Sequence, residues 1–308
     1  MVQSSEKIVF LTIDVEDWYH IPSVTGSPFS VYSSVDEFFE KWDGRFDYLT
    51  EPTKRVLQIL DEFNLYATFF VVGDVVEHYP GLVEMISERG HEIACHGLHH
   101  EVHIDPKTKI PLFTRDEFRK RTEKAVMLLK KEAKQKIIGY RAPGAYIGGW
   151  MVDELEKMGF KYDSSVSVNS LYNKTDSTLE GVSTFPYYPK IGSLDLGHAN
   201  RRLIEIPWPY LDIGGIKLPT AGGPMLRFLG ARIIKLGLKQ SLKRGPTVFY
   251  FHPIDISPEK FPKIGNNRPF YWSIKGKTVE KRVRYILRTL VQQNIRIIPV
   301  TEYLGENT

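Results

Sequence analysis

The chain has 308 residues, 42% hydrophobic and 25% charged, a balance that excludes a disordered or fibrous protein. A net charge of +4 is too mild to point to nucleic acid, and no apolar run approaches the ~18 residues that a membrane span needs. The single cysteine, Cys95, excludes an intrachain disulfide.

In chain order, Ile8 to Ile13 (IVFLTI) is a continuous, β-branched apolar run that predicts a buried strand. It is too short for a signal peptide and ends in an acid, so the expected location is cytoplasmic. Asp14, Glu16 and Asp17 follow at once. Three carboxylates at the end of a buried strand are costly unless something positive meets them. Residues 21 to 50 predict a long loop with a short helix at Val35 to Lys41. Glu51-Pro52-Thr53 opens a helix whose apolar face is Val56, Leu57, Leu60 and Phe63. Ala67 to Val72 predicts a strand, and Pro80 to Arg89 a helix closed by Gly90.

The stretch His91 to His103 (HEIACHGLHHEVH) holds five of the nine histidines. Ile93 to Cys95 predicts a short buried strand. His96 and His100 come next, four apart, and imidazoles at that spacing can share one metal ion if the chain turns helically there. His91, His99 and His103 would then point elsewhere. Asp116 to Lys131 predicts a basic amphipathic helix, and Lys136 to Tyr140 a strand leading into Arg141-Ala142-Pro143-Gly144. Trp150 to Met158 predicts a helix closed by Gly159, and Phe160 to Tyr162 a strand ending in Asp163. Residues 166 to 202 form an irregular excursion. Leu203 to Pro207 is strand-like, Pro224 to Leu242 helical, and Thr247 to Phe251 a buried strand ending in His252. Thr278 to Gln293 and Arg296 to Val300 give the last helix and strand.

No repeat, low-complexity tract or linker divides the chain, so a single domain over 1–308 is the economical expectation. Alternating strands and helices predict an α/β fold with a parallel sheet. Five apolar strands end directly in polar residues: Asp14 to Asp17, His96, Arg141, Asp163 and His252. Sites in such folds collect at the carboxyl ends of strands. Two histidines and a carboxylate make a three-ligand set with open positions, as in a catalytic metal site. A second carboxylate, an arginine to hold it ionised, a histidine as acid and backbone N–H groups after Pro143 complete a toolkit for amide hydrolysis.

These residues resemble the motifs of the polysaccharide deacetylases of the NodB-homology type, carbohydrate esterase family 4. TIDVED at Thr12 to Asp17 stands at the aspartate motif, HGLHH at His96 to His100 at the H-x-x-x-H motif, and RAPG at Arg141 to Gly144 at the Arg-x-Pro motif. DSS at Asp163 and FYFHP around His252 are weaker matches. Order and rough spacing agree over residues 8 to 300. TIDVEDW, EIPWP and FYFHP together are similar to a subgroup found with bacterial exopolysaccharide gene clusters. The resemblance implies a distorted (β/α) barrel, often of seven strands.

It also implies roles. Asp14 would be the general base, Arg141 its orienting partner, and His252 the general acid, tuned by Asp163. Asp17, His96 and His100 would hold a divalent metal, with zinc expected; Glu16 is the alternative carboxylate. Pro143 and Gly144 would sit at the oxyanion. The implied activity is metal-dependent removal of N-acetyl groups from a polysaccharide or lipid-linked saccharide. The alternatives are hydrolysis of another C–N bond, as in a formyl-sugar deformylase or an allantoinase-like enzyme, or an inactive carbohydrate-binding barrel. From Ile213 to Ile254 the chain has no acidic residue, and residues 224–244 read as a basic amphipathic helix, a solvated face or a peripheral contact with the inner face of an anionic membrane. Trp18, Tyr19, Tyr146, Trp150, Trp208 and Tyr210 lie near the motifs, and two or three of them should line the cleft. Asn173-Lys174-Thr175 is a sequon taken as chance.

Overall fold

A computed structural model describes residues 6–197, 201–264 and 270–305. The first strand, β1 (Ile8–Val15), is buried along its whole length, as its unbroken apolar run requires. Strands β2 (Thr68–Val71), β3 (Glu92–Cys95), β4 (Gly139–Tyr140), β5 (Tyr162–Asp163) and β6 (Ile204–Glu205) follow it in spatial order, each parallel to the last. A two-stranded antiparallel hairpin, β7 (Tyr210–Ile213) and β8 (Ile216–Pro219), stands off the sheet. Strand β9 (Thr247–Phe251) returns to pair with the other side of β1, giving a run of seven: β9-β1-β2-β3-β4-β5-β6. Strand β10 (Arg296–Ile298) is an eighth, laid beside only the first three residues of β1. The sheet curls into a distorted (β/α) barrel. Tyr187 exchanges backbone hydrogen bonds of 2.9 and 2.8 Å with Glu205, so an irregular segment covers the edge at β6.

The helices form where periodicity and capping agree. Thr50–Phe63 buries Val56, Leu57, Ile59 and Leu60 and stops at Asn64, whose φ of 52° is left-handed. Arg115–Ala133 starts in a reciprocal cap between Thr114 and Glu117 and buries Phe118, Ala125 and Leu129. Lys277–Gln292 buries Val279, Val283, Ile286, Leu287 and Leu290. Residues 166–202 contain no helix or strand among those described; 198–200 lie outside the described residues.

Short helices at Val75–His78, Pro253–Ile256 and Val300–Leu304 were not expected, and two larger features also depart from the expected elements. The β7–β8 hairpin turns on Gly214-Gly215, with φ of 61° and 91°, the positive-φ pair that a two-residue hairpin demands; that dipeptide between two apolar tetrads was its sequence signal. The helix Gly222–Ser241 is broken at Gly230 (φ 74°) and is not simply a solvated basic face, because Arg227 is buried.

Candidate active site

The carboxyl ends of β1, β3, β4 and β9 open into one cavity of about 270 Å³. Asp14, Glu16, His96, His100, Arg141, Gly144 and His252 all line it. Strand geometry decides which acids of the aspartate motif enter. Successive side chains on an extended chain point to opposite faces. Asp14 and Glu16, two apart, share the cavity side; Asp17 points away.

The carboxylate beside the two histidines is therefore Glu16, which corrects the assignment of Asp17. Ligand atoms of Glu16, His96 and His100 lie within 4.8 Å of one another, and Glu16 Oε2 is 2.6 Å from His100 Nε2. Asp17 is spent on structure. Its carboxylate accepts the Trp18 N–H at 2.7 Å, the Tyr48 N–H at 3.2 Å and the Tyr79 hydroxyl. Burial outweighs these donors and pushes the Asp17 carboxyl up to about 7.

The histidine pair meets without a helix. Gly97 (φ 78°) and His100 (φ 60°) are both left-handed, and the Gly97 and Leu98 carbonyls accept the backbone N–H groups of Gly73 and Asp74 at 2.9 Å. This fixed loop replaces the expected helical turn. His96 Nδ1 donates to the Arg141 carbonyl at 2.8 Å, and His100 Nδ1 to the His20 carbonyl at 2.8 Å. Each bond fixes the ring and turns Nε2 into the cavity: that of His96 is a bare lone pair, while that of His100 shares with Glu16 Oε2 a proton that a bound metal would displace. Burial lowers His96 to about 4, so its ring is neutral. Burial would raise the Glu16 carboxyl, but the imidazoles of His100 and His252 hold it below the usual carboxylate range. One buried carboxylate and two neutral-capable imidazoles suit a borderline divalent cation. His91 and His103 lie in apolar surroundings, against Phe69 and Phe118 respectively, and His99 bonds Asp74 at 2.9 Å.

Arg141 is wholly buried and fully engaged. It donates to Asp14 Oδ1 at 2.5 Å, Thr12 Oγ1 at 3.0 Å, the Ser164 carbonyl at 2.8 Å and Ser164 Oγ at 3.0 Å. Phe70 and Tyr250 present ring faces to its guanidinium at 4.0 and 4.8 Å. The other Asp14 oxygen is 4.0 Å from His96 Nε2 and 3.9 Å from His252 Nε2.

The partner of His252 is not Asp163 but Asp255, which no sequence signal beyond its place three residues after His252 had singled out. Asp255 Oδ2 accepts both the backbone N–H and Nδ1 of His252, at 2.8 and 2.9 Å. Its other oxygen pairs with buried Arg227 at 2.7 Å. Burial works against the His252 imidazolium, but Asp255 and Glu16 overcome it and raise its pKa to about 9. Asp163 accepts from Ser165 Oγ at 2.8 Å and faces Glu205 in a buried pair behind Arg141.

Pro143 does not line the cavity; Gly144 and Ala145 do. The Ala142, Ala145 and Tyr146 N–H groups are spent on Ser165 Oγ and on carbonyls of the turn, and proline has none, which leaves Gly144 as the donor candidate. Of the aromatic residues singled out from sequence, Trp208 lines the cavity, with Tyr250, Phe261 and Trp272, which were not. Trp18 and Tyr19 pack into an aromatic cluster around Phe38.

Comparison with known proteins agrees with this geometry. Residues 29–162 match the family model "Polysaccharide deacetylase", and residues 169–300 match a second, "Domain of unknown function (DUF3473)". A peptidoglycan deacetylase of Helicobacter pylori is 31% identical over 144 residues, covering 45% of this chain and 40% of that protein. A peptidoglycan-N-acetylmuramic acid deacetylase of Bacillus subtilis is 26% identical over 160 residues, covering 47% and 59%. The matches thus span less than two thirds of either relative. A crystal structure from Mycobacterium smegmatis, assigned as a polysaccharide deacetylase, shares the fold over 98% of this chain and 90% of that one, with a TM-score of 0.65 at 20% identity. A family 4 pseudoenzyme of Bacillus anthracis shares it over 96% and 65%, with a TM-score of 0.52 at 14% identity. The two matched segments are not separate in space: His96, His100 and Arg141 come from the first, and Arg227, His252 and Asp255 from the second, and both supply strands to one sheet. Residues 29–162, which carry His96, His100 and Arg141, thus match a polysaccharide deacetylase domain of the NodB-homology type, carbohydrate esterase family 4, and the chain shares the fold of such structures along nearly its whole length.

Proposed function

We propose that this protein removes N-acetyl groups from a glycan, with a divalent cation held by Glu16, His96 and His100 and zinc as the expected ion. The observation that carries the proposal is the placing of two proton-transfer groups against one ligand triad. Asp14, fixed by Arg141, and His252, fixed by Asp255, approach to 3.9 Å across the cavity floor. When bound, the cation supplies an acidified water and a Lewis acid for the acyl oxygen. Asp14 takes a proton from the attacking water, because its oxygen toward Arg141 is neutralised and the one toward the cavity remains a base. The Gly144 N–H faces the developing oxyanion. His252 gives its Nε2 proton to the departing amine, and Asp255 stabilises the ring through the transfer. Elemental analysis of protein supplied with zinc, together with acetate release from N-acetylated oligosaccharides, tests this. Protein that takes up no divalent metal, or that with metal releases no acetate from any of them, refutes it; formate release from formyl sugars would assign the other C–N chemistry.

We further propose that the protein meets an anionic membrane from the side of the 224–244 helix, where a lipid-linked saccharide would be presented. Arg232, Lys239 and Lys243 are exposed there beside Leu236, and Ile213 and Ile216 are 61% and 60% exposed at the tip of the β7–β8 hairpin. No described helix is long and apolar enough to cross a membrane. Failure to float with anionic vesicles at low salt would end this proposal.

A further inference from the structure

Among the described residues, one cation at the cavity has no acid to answer it. Lys174 lies in the 166–202 excursion, half-buried, and lines the same cavity as Asp14 and His252. Its ammonium donates one hydrogen bond, to the Gly144 carbonyl at 2.8 Å. It sits 5.2 Å from the Tyr146 ring and 5.3 Å from the Tyr172 ring. Among the described residues no carboxylate lies within 4.0 Å of it; every other ion pair near the cavity, Arg141–Asp14 and Arg227–Asp255, is closed. A second lysine, Lys109, approaches Tyr146 at 5.3 Å. Burial, then the charge of Lys109, lower the Lys174 pKa to about 8. A half-buried cation beside a like charge is destabilised until an anion arrives.

The loop that carries Lys174 is built to hold it still. Asn173 Oδ1 accepts the Thr175 N–H at 2.8 Å and its hydroxyl at 2.9 Å, and Asn173 Nδ2 donates to the Ser177 carbonyl at 2.7 Å. The Lys174 carbonyl in turn accepts the Ile147 N–H at 3.4 Å. The Asn-Lys-Thr tripeptide thus forms a turn that fixes the lysine on the cavity wall. Ordering a long, flexible side chain costs entropy, and a simple tether to Gly144 would not require a charge.

We propose that Lys174, supported by Lys109, is a subsite for an anionic group of the saccharide substrate, a carboxylate or a phosphate on the sugar next to the one that is deacetylated. The inference rests on the deacetylase proposal for which sugar is processed, but not for its own test. The zinc-supplied full-length protein would be titrated calorimetrically with three probes: a neutral N-acetylglucosamine tetramer, an oligosaccharide alternating N-acetylglucosamine with glucuronic acid, and N-acetylglucosamine 1-phosphate. At least one acidic probe should bind about tenfold tighter than the neutral one at low salt, the scale of one charge-assisted hydrogen bond. Which of the two does so separates carboxylate from phosphate. Lys174→Met should collapse that ratio, Lys174→Arg should keep it, and Lys109→Met should reduce it in part. Equal binding of all three probes, binding of none, or a Lys174→Met effect equal on neutral and acidic probes would overturn the subsite. Selective binding without acetate release would instead leave the subsite standing and remove the deacetylase proposal.

Discussion

Asp255 Oδ2 holds two donors of the same residue, the backbone N–H and the ring Nδ1 of His252, at 2.8 and 2.9 Å. This double hold fixes the rotamer of the imidazole and keeps Nδ1 protonated, so that the imidazolium form presents its transferable proton at Nε2 to the cavity. Arg227, from the helix Gly222–Ser241, keeps Asp255 ionised. Burial alone would raise the Asp255 carboxyl; Arg227 and His252 hold it below its usual value instead. Asp255→Asn should therefore lower acetate release by about 10²-fold or more with metal content unchanged. Arg227→Met should act in the same direction and more weakly. An unimpaired Asp255→Asn enzyme would show that His252 needs no such partner.

The second prediction separates adjacent acids. Glu16→Ala should abolish stoichiometric metal binding while leaving the fold intact, since Glu16 faces the cavity and its partners are the site histidines. Asp17→Ala should do the opposite. It strands the Trp18 and Tyr48 N–H groups and the Tyr79 hydroxyl in the interior, at a cost of about 1–3 kcal/mol for each unsatisfied group. Elemental analysis and thermal unfolding of the two variants check this. Metal lost by folded Asp17→Ala and kept by Glu16→Ala would reverse the assignment.

Asp14→Asn should retain the metal and lose turnover. An amide cannot take a proton from water, but its oxygen can still accept from Arg141 Nη1. Arg141→Lys should be worse for folding than for its charge alone. A lysine replaces the planar fork that reaches Thr12, Asp14 and Ser164 at once. Asp14→Asn also lowers the unfolding midpoint, since it leaves the buried guanidinium without its counter-charge, and a further drop for Arg141→Lys is the expected pattern by calorimetry.

How much of this was legible from the chain differs by element. Strand β1 and the helix Arg115–Ala133 were plain, because continuous burial and 3.6-residue periodicity leave direct marks on sequence. The convergence of Asp14, His96, Arg141 and His252 was legible because the carboxyl ends of parallel strands share one rim. Glu16 was legible in principle: two-residue alternation along a strand pairs it with Asp14 and sends Asp17 to the other face. The loop from His96 to His100 was not, since left-handed φ at a histidine is set by the bonds from Gly73 and Asp74 rather than by its own preference. Asp255 and Arg227 were hidden for a similar reason. One looks like an ordinary turn acid and the other like one more basic residue on a basic helix; only packing of the helix Gly222–Ser241 over β9 joins them.

The buried pair behind Arg141 makes a prediction about pH. Asp163 Oδ2 and Glu205 Oε2 have no donor among the described residues, and two carboxylates can bond each other only by sharing a proton. Burial, then the neighbouring Asp163, raise Glu205 well above its ordinary value of 4.5. The folded protein therefore keeps a proton that the unfolded chain releases near pH 4.5. Stability from this pair is fully present below that value, and is lost as pH rises from there through the higher folded pKa. Glu205→Gln should remove the effect. Its amide oxygen can still accept the Ser165 and Val166 N–H groups, now at 3.1 and 2.9 Å, while its NH₂ donates to Asp163 without any proton to lose. Against the parent, the variant should gain unfolding free energy as pH rises from 5 to 9, by about 1.4 kcal/mol for each pH unit in which the parent pair titrates. Parallel stability curves for the two proteins over that range would mean that the pair holds no shared proton.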